Sequence, residues 1–204
     1  MSDEPHFEVE RKFRLTDEEF DVMPARLVED LNFVKVREVT ETDTFFPAEK
    51  PGDMVRIRDE KCGTDTVHYL TQKTWKIVGE SKERSEQEEK LTANVRNCMI
   101  AVGERMNDGK PLLTLFKTRT FYERLQKSDP GAKKVLVVLD TLPELGSYSG
   151  HYMEVEILVP EGANVEAART QILGIAKALL QGEERAPMEI SYMNMLIESK
   201  KQTV

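Results

Sequence analysis

The sequence predicts an α+β fold in which about eight strands and three or four interspersed helices build a closed or nearly closed antiparallel sheet with flanking helices. Two observations point there. Short segments alternate apolar and polar residues between clusters of turn formers, as antiparallel strands do, and a few longer segments carry apolar residues at helical spacing. At 204 residues the chain has the length of one large domain, so residues 1–204 are expected to form a single unit.

The first strand is His6-Phe7-Glu8-Val9-Glu10-Arg11-Lys12-Phe13, where alternation puts Glu8, Glu10 and Lys12 on one face. Thr16-Asp17-Glu18-Glu19 has the spacing of a capping box, and the helix it starts runs to about Leu31 with a break or kink at Pro24. Val34 to Phe46, Met54 to Asp59 and Val67 to Lys73 read as strands, separated by the turn-rich stretches Pro47 to Asp53 and Lys61 to Asp65. Trp75 to Val78 ends at Gly79 as a hairpin into a charged strand from Ser81 to Glu89. Thr92 precedes an amphipathic helix through Val95, Cys98, Met99, Val102 and Met106, which stops near Asn107-Asp108-Gly109. Leu112 to Arg124, Lys134 to Thr141 and Tyr152 to Val159 are strands, with a turn at Asp129-Pro130-Gly131. A helix from about Asn164 stripes Val165, Ala168, Ile172, Ile175 and Leu179 along one side before Gly182, and a last helix covers Ile190 to Glu198.

Charged residues make up 32% of the chain and hydrophobic ones 39%, a soluble globular composition. The net charge of -8 argues against a nucleic-acid partner, since phosphate backbones are gripped by an excess of Lys and Arg. Cys62 and Cys98 are too few for a zinc site or a disulfide framework and are expected as reduced thiols. The opening residues lack the basic stretch and apolar run of a signal peptide, and no apolar run approaches a membrane span, which predicts a cytoplasmic protein with no membrane partner.

Rows of charge recur strand after strand: Glu8/Glu10/Lys12, Arg56/Arg58, Lys73, Arg84/Glu86/Glu88, Lys117/Arg119, Asp140 and Glu154/Glu156. A single row is what the solvated face of a half-exposed strand shows. Recurrence across the sheet calls for more, because charges turned into a barrel interior are expensive unless a ligand and water share the space. A triphosphate fits such a face: its oxygens spread over a length that one Arg cannot span, and a hard divalent cation held by Glu-x-Glu rows would offset its charge.

At these residues the chain resembles the CYTH family, or triphosphate tunnel metalloenzymes, whose signature is Glu-x-Glu-x-Lys in the first strand. Here it stands as Glu8-Val9-Glu10-Arg11-Lys12, followed in the family's order by Thr42-Asp43-Thr44-Phe45-Phe46, Arg56-Ile57-Arg58, Lys73, Lys117-Thr118-Arg119, Leu139-Asp140-Thr141 and Glu154-Val155-Glu156, with Ser191-Tyr192 matching the family's ending. The resemblance implies an eight-stranded antiparallel tunnel that binds a small-molecule triphosphate. It assigns Lys12, Arg56, Arg58, Lys73, Arg84, Lys117 and Arg119 to substrate, although Glu83 to Glu89 permits more than one register for Arg84/Glu86/Glu88. Glu8, Glu10, Asp140, Glu154 and Glu156 become the candidate ligands of Mg²⁺ or Mn²⁺, and Lys12, Glu8 and Glu10 the candidate catalytic groups.

Glu8 to Phe13, Leu91-Thr92-Ala93 and Leu139-Asp140-Thr141 are most similar to the thiamine triphosphatase branch, but Met54 stands where animal members place a Trp. The expectation is a triphosphatase, acting as monomer or homodimer, that uses inorganic tripolyphosphate at least as well as thiamine triphosphate and releases orthophosphate. The rivals are an adenylyl cyclase of the same fold and a non-catalytic polyphosphate or nucleotide sensor.

Overall fold

The computed structural model describes residues 6–47, 53–78, 81–124, 134–160 and 165–201, apart from the side chains of 6, 7, 75–78, 81–86 and 160. In chain order the elements are β1 (His6–Leu15), α1 (Asp17–Ala25), β2 (Val34–Phe46), β3 (Met54–Cys62), β4 (Asp65–Val78), β5 (Ser81–Leu91), α2 (Ala93–Met106), β6 (Leu113–Arg124), β7 (Val135–Leu142), β8 (Gly150–Pro160), α3 (Val165–Leu179) and α4 (Tyr192–Lys201). The strands form one eight-stranded sheet in the order β1-β8-β7-β6-β2-β3-β4-β5. It is antiparallel with flanking helices, the α+β class that the alternation predicts. The Asp129-Pro130-Gly131 turn and the Asn164 helix start lie outside the described residues.

By its internal contacts the chain divides into two compact units. The first takes the residues up to Glu38 together with Thr118–Ser191. Its core follows from register: Val9 faces Ile157, Phe13 faces Met153, and Val137 faces Val155, so one side of β1, β8 and β7 is largely apolar, with Arg11 of β1 as a charged exception. That side is sealed by the α3 stripe Ala168, Ile172, Ile175, Ala176 and Leu179, and by Met23 and Leu27, all buried in one cluster. The capping box is present. Thr16 Oγ1 accepts from the Glu19 N–H at 3.2 Å, and Glu19 Oε2 accepts from the Thr16 N–H at 2.8 Å. Arg185 donates to Glu19 at 2.7 Å, and this contact, outweighing partial burial, holds the Glu19 carboxyl below its ordinary pKa. Pro24 removes a helical donor, and α1 passes into one wider π-type turn at Arg26–Asp30 rather than simply continuing.

The second unit takes Val39–Lys117 and the residues from Tyr192 onward. Two strands read separately, Val67 to Lys73 and Trp75 to Val78, are a single strand here, because Thr74 between them is itself a good strand former. Gly63, with φ of 60°, makes the tight reversal from β3 to β4 that a side chain would strain. The last helix starts at Tyr192 rather than Ile190. In the first unit, the residues just before it are held extended, with the Met188 N–H donating to the Lys12 carbonyl at 2.8 Å.

Helix α2 is fixed to the sheet at both ends. Arg96 pairs with Asp59 of β3, which also lies 2.7 Å from His68 Nδ1, and Asp59 is held below its ordinary pKa because these partners outweigh its burial. At the other end Gly103 is buried where a Cβ would overlap the Phe46 ring and crowd Leu112. Gly103→Val is therefore expected to lose about 1–3 kcal/mol by overpacking, despite relieving a helical glycine. Urea denaturation measures this, and an unchanged midpoint would mean that the Phe46 ring swings clear without loss.

Candidate functional site

In the first unit, the face of β1, β8 and β7 opposite the apolar core carries charge. Across β1 and β8, Glu10 stands directly opposite Glu156 and Lys12 opposite Glu154, with Glu8 opposite Leu158. Directly opposed side chains on antiparallel strands lie roughly 5 Å apart at Cβ, so the strand register itself juxtaposes two carboxylates. Lys12 Nζ is 3.4 Å from Glu154 Oε1, and it donates to the Ile190 carbonyl at 3.5 Å. Arg119 of β6 grips Asp140 of β7 with two bonds, Nε to Oδ1 at 2.7 Å and Nη2 to Oδ2 at 2.5 Å, while Nη2 also reaches Glu154 Oε2 at 2.6 Å. Lys12, Arg119, Asp140 and Glu154 are buried, whereas Glu8, Glu10 and Glu156 are partly exposed. The result is a rigid network of two cations and two carboxylates beside a facing and more accessible carboxylate pair.

The second unit has its own charged face. Asp43 of β2 is 1% exposed, and it accepts from Arg58 at both oxygens, Nε to Oδ1 at 2.8 Å and Nη2 to Oδ2 at 3.1 Å. Arg56 Nη1 donates to Asp43 Oδ2 at 3.1 Å, and Lys117 Nζ lies 3.6 Å from the same oxygen. Burial would push the Asp43 carboxyl up, but Arg56, Lys117 and Arg58 together hold it well below the usual carboxylate range. Glu41, on the same face two residues earlier, lies 3.0 Å from Lys117 and 3.1 Å from Arg58. Buried Glu60 stands opposite Glu41 in register, and the Lys117 ammonium sits 5.3 Å from the centre of the Tyr192 ring. Buried Lys73 faces Met54 across β3 and β4, and Thr71 next to it donates to Glu88 at 3.2 Å.

Of the residues singled out from sequence, the first unit thus brings together Lys12, Arg119, Asp140 and Glu154, and faces Glu10 with Glu156. The second brings together Arg56, Arg58 and Lys117. The Arg84 side chain lies outside the described residues. Sequence reading missed Glu41 and Glu60 and quoted Asp43 only as part of a motif. Glu41-Thr42-Asp43 is the same alternating signal as the other rows, set within a Thr-rich strand.

Among the described residues no three His, Cys, Asp or Glu side chains converge as a ready metal cage. A facing carboxylate pair nevertheless suits a hard cation such as Mg²⁺, which commonly takes one or two carboxylates and completes its shell with water and phosphate oxygens. Cys62 and Cys98 are exposed and free. Among the described residues no helix is long and apolar enough to cross a membrane.

Solved structures share this architecture. The PH1819 protein of Pyrococcus horikoshii is 24% identical with a TM-score of 0.66, over 94% of this chain and 99% of that one. A putative adenylate cyclase of Vibrio parahaemolyticus is 17% identical with a TM-score of 0.66, over 95% and 99%. A putative adenylyl cyclase of Hippeastrum, described as having a dominant triphosphatase activity, is 12% identical with a TM-score of 0.61, over 95% of each chain. At such identities the likeness establishes the fold alone. A search of curated proteins found no match. The CYTH domain model matches residues 6–186, from the Glu8-to-Lys12 row through β8 and α3, and on that match the chain belongs to the CYTH domain family.

Proposed function

We propose that this chain is a metal-dependent triphosphatase that hydrolyses the terminal phosphoryl group of a small-molecule triphosphate. The observation that carries the reading is the facing Glu10–Glu156 pair, set beside the Lys12–Glu154–Arg119–Asp140 network on the sheet face opposite the core. Carboxylates for a cation and fixed cations for phosphate oxygens then occupy one surface. Glu10 and Glu156, with Glu8 next in the row, are the groups that would hold Mg²⁺ or Mn²⁺, and a bound ion of that kind would neutralise charge on the phosphate oxygens. Asp140, with both oxygens engaged by Arg119, is better suited to aligning that guanidinium than to direct ligation.

In the first unit Lys12 and Arg119 are the proposed phosphate-binding cations; the second unit, taken by itself, offers Arg56, Arg58, Lys73 and Lys117 as candidates for the same role. Arg presents a planar fork to phosphate and Lys a point charge. A water oriented by Glu8 or Glu10 attacks the terminal phosphorus, its proton passing to the carboxylate. The bridging P–O bond breaks, and orthophosphate leaves with the shortened phosphate chain. Positioning and charge stabilisation supply most of the rate.

The organic group follows from Met54. It is buried opposite Lys73 and offers no aromatic surface for a base or thiazole to stack on. Tripolyphosphate is accordingly expected to be used at least as well as thiamine triphosphate, even with the thiamine-branch likeness of the Leu91-Thr92-Ala93 segment. Adenylyl cyclase activity is the second reading, suggested by the description of the Vibrio protein as a putative adenylate cyclase, whereas that of the Hippeastrum protein, a dominant triphosphatase activity, sides with the first.

The assay that decides incubates purified protein with Mg²⁺ or Mn²⁺ and, separately, tripolyphosphate, thiamine triphosphate and ATP. Orthophosphate from tripolyphosphate is the expected product. Cyclic AMP and pyrophosphate from ATP in equal amounts, with little orthophosphate from tripolyphosphate, would establish the cyclase instead. Binding without turnover of any of the three would establish a sensor.

A further inference from the structure

We infer that Asp43, backed by Glu41, is a positioning residue that aims Arg56, Arg58 and Lys117 at the substrate's phosphates; the inference rests on the triphosphatase reading. The geometry is that of a buried anchor. Both oxygens of one carboxylate are used, Oδ1 by Arg58 and Oδ2 by Arg58 and Arg56, and Lys117 approaches the second at 3.6 Å. Glu41, wholly buried on the same face, engages Arg58 and Lys117 at 3.1 and 3.0 Å. Two carboxylates from β2 therefore touch three cations delivered by β3 and β6.

Long cationic side chains have many rotamers, and an unanchored guanidinium would spend its binding interaction on becoming ordered. Here three of them share a fixed partner beneath. A bidentate bond sets the plane of the Arg58 guanidinium, so the orientation of its remaining edge is decided before any ligand arrives.

Positioning and simple charge balance predict opposite outcomes when the carboxylate is neutralised. Asp43→Asn leaves the site one unit more positive. If Asp43 were only a counter-charge, a polyanion would bind more tightly. If it aims the cations, the polyanion binds more weakly in spite of the added positive charge.

The test measures tripolyphosphate affinity by titration calorimetry in chelator, and kcat and KM with Mg²⁺, for the wild type, Asp43→Asn, Asp43→Glu and Glu41→Gln. We expect Asp43→Asn to raise Kd and KM on the order of 10- to 100-fold while its melting temperature shows it folded. Asp43→Glu, which restores the charge but shifts the anchor, should recover part of that loss. Affinity equal to or tighter than wild type in folded Asp43→Asn overturns the inference. Should Asp43→Asn not fold, Glu41→Gln and Asp43→Glu decide: weakened affinity in both supports it, and wild-type affinity in both overturns it. A wild-type protein that neither binds nor hydrolyses tripolyphosphate overturns the triphosphatase reading itself, and this inference with it.

Discussion

Glu10→Gln is expected to lose at least about 100-fold of its metal-dependent turnover of tripolyphosphate while its melting in metal-free buffer shows it folded. Both halves of the expectation come from one fact of register, the position of Glu10 opposite Glu156 on β1 and β8. At that position an isosteric amide keeps the shape of the side chain and opens no cavity, so the fold is expected to persist. The same replacement takes an anionic ligand from a hard cation, which an amide oxygen serves poorly.

Adding Mg²⁺ should separate these effects. A cation that binds only the folded protein stabilises it by about 2.7 kcal/mol at one hundred times its Kd. Wild type should therefore rise in melting temperature as Mg²⁺ is added, and Glu10→Gln should rise much less at the same concentrations. Equal shifts in the two proteins, or full activity of the variant at limiting metal, would remove Glu10 from the metal site.

The charged rows were legible because strand periodicity is strict: once Glu8-Val9-Glu10-Arg11-Lys12 is a strand, Glu8, Glu10 and Lys12 must share a face. Which residue each of them meets was not legible. Glu10 meets Glu156 and Lys12 meets Glu154 through pairing of strands from opposite ends of the chain, and nothing local encodes that register. The sheet order has the same character. β6 sits beside β2 rather than beside β5, its predecessor in sequence, a choice made by whole-sheet packing.

Glu41 was passed over, and Asp43 was quoted in a motif without a role of its own, for a different reason. Their strand, Val34 to Phe46, reads as ordinary alternation, and a carboxylate that is wholly buried looks no different in sequence from one in water. Their importance becomes visible only once Arg56, Arg58 and Lys117 are seen to lie on them. The capping box at Thr16 and the α3 stripe, by contrast, are local chemistry and were readable residue by residue.

Lys117→Met should lower stability at neutral pH by about 3–5 kcal/mol, the largest effect on folding expected of any single change at this face. Lys117 is 1% exposed, and its ammonium lies 3.0 Å from Glu41 and 3.6 Å from Asp43, carboxylates that are themselves 0% and 1% exposed. Methionine matches the volume and flexibility of lysine, so the packing against Tyr192 is largely kept and what is lost is charge. Arg58 still reaches both carboxylates, and the interaction left unmet is that of Glu41, which would stay buried with one cation fewer.

The dependence on pH gives this effect a signature that a packing defect lacks. The folded-state pKa of Asp43 is depressed below its ordinary value of 3.8 by Arg56, Lys117 and Arg58, against the opposing effect of burial. A carboxylate of this kind contributes its stability fully above its unfolded pKa and loses it as pH falls through the lower folded value. Removing Lys117 should weaken that depression. The stability difference between wild type and Lys117→Met is then widest near neutrality and narrows only as pH falls below the ordinary value of 3.8 into the range of the depressed folded pKa, where Asp43 takes up its proton and no longer needs the cation. Urea midpoints measured from pH 7 down to pH 1.5 would trace this convergence; two curves that stay parallel throughout would mean that Lys117 supports the fold through its packing and not through its charge.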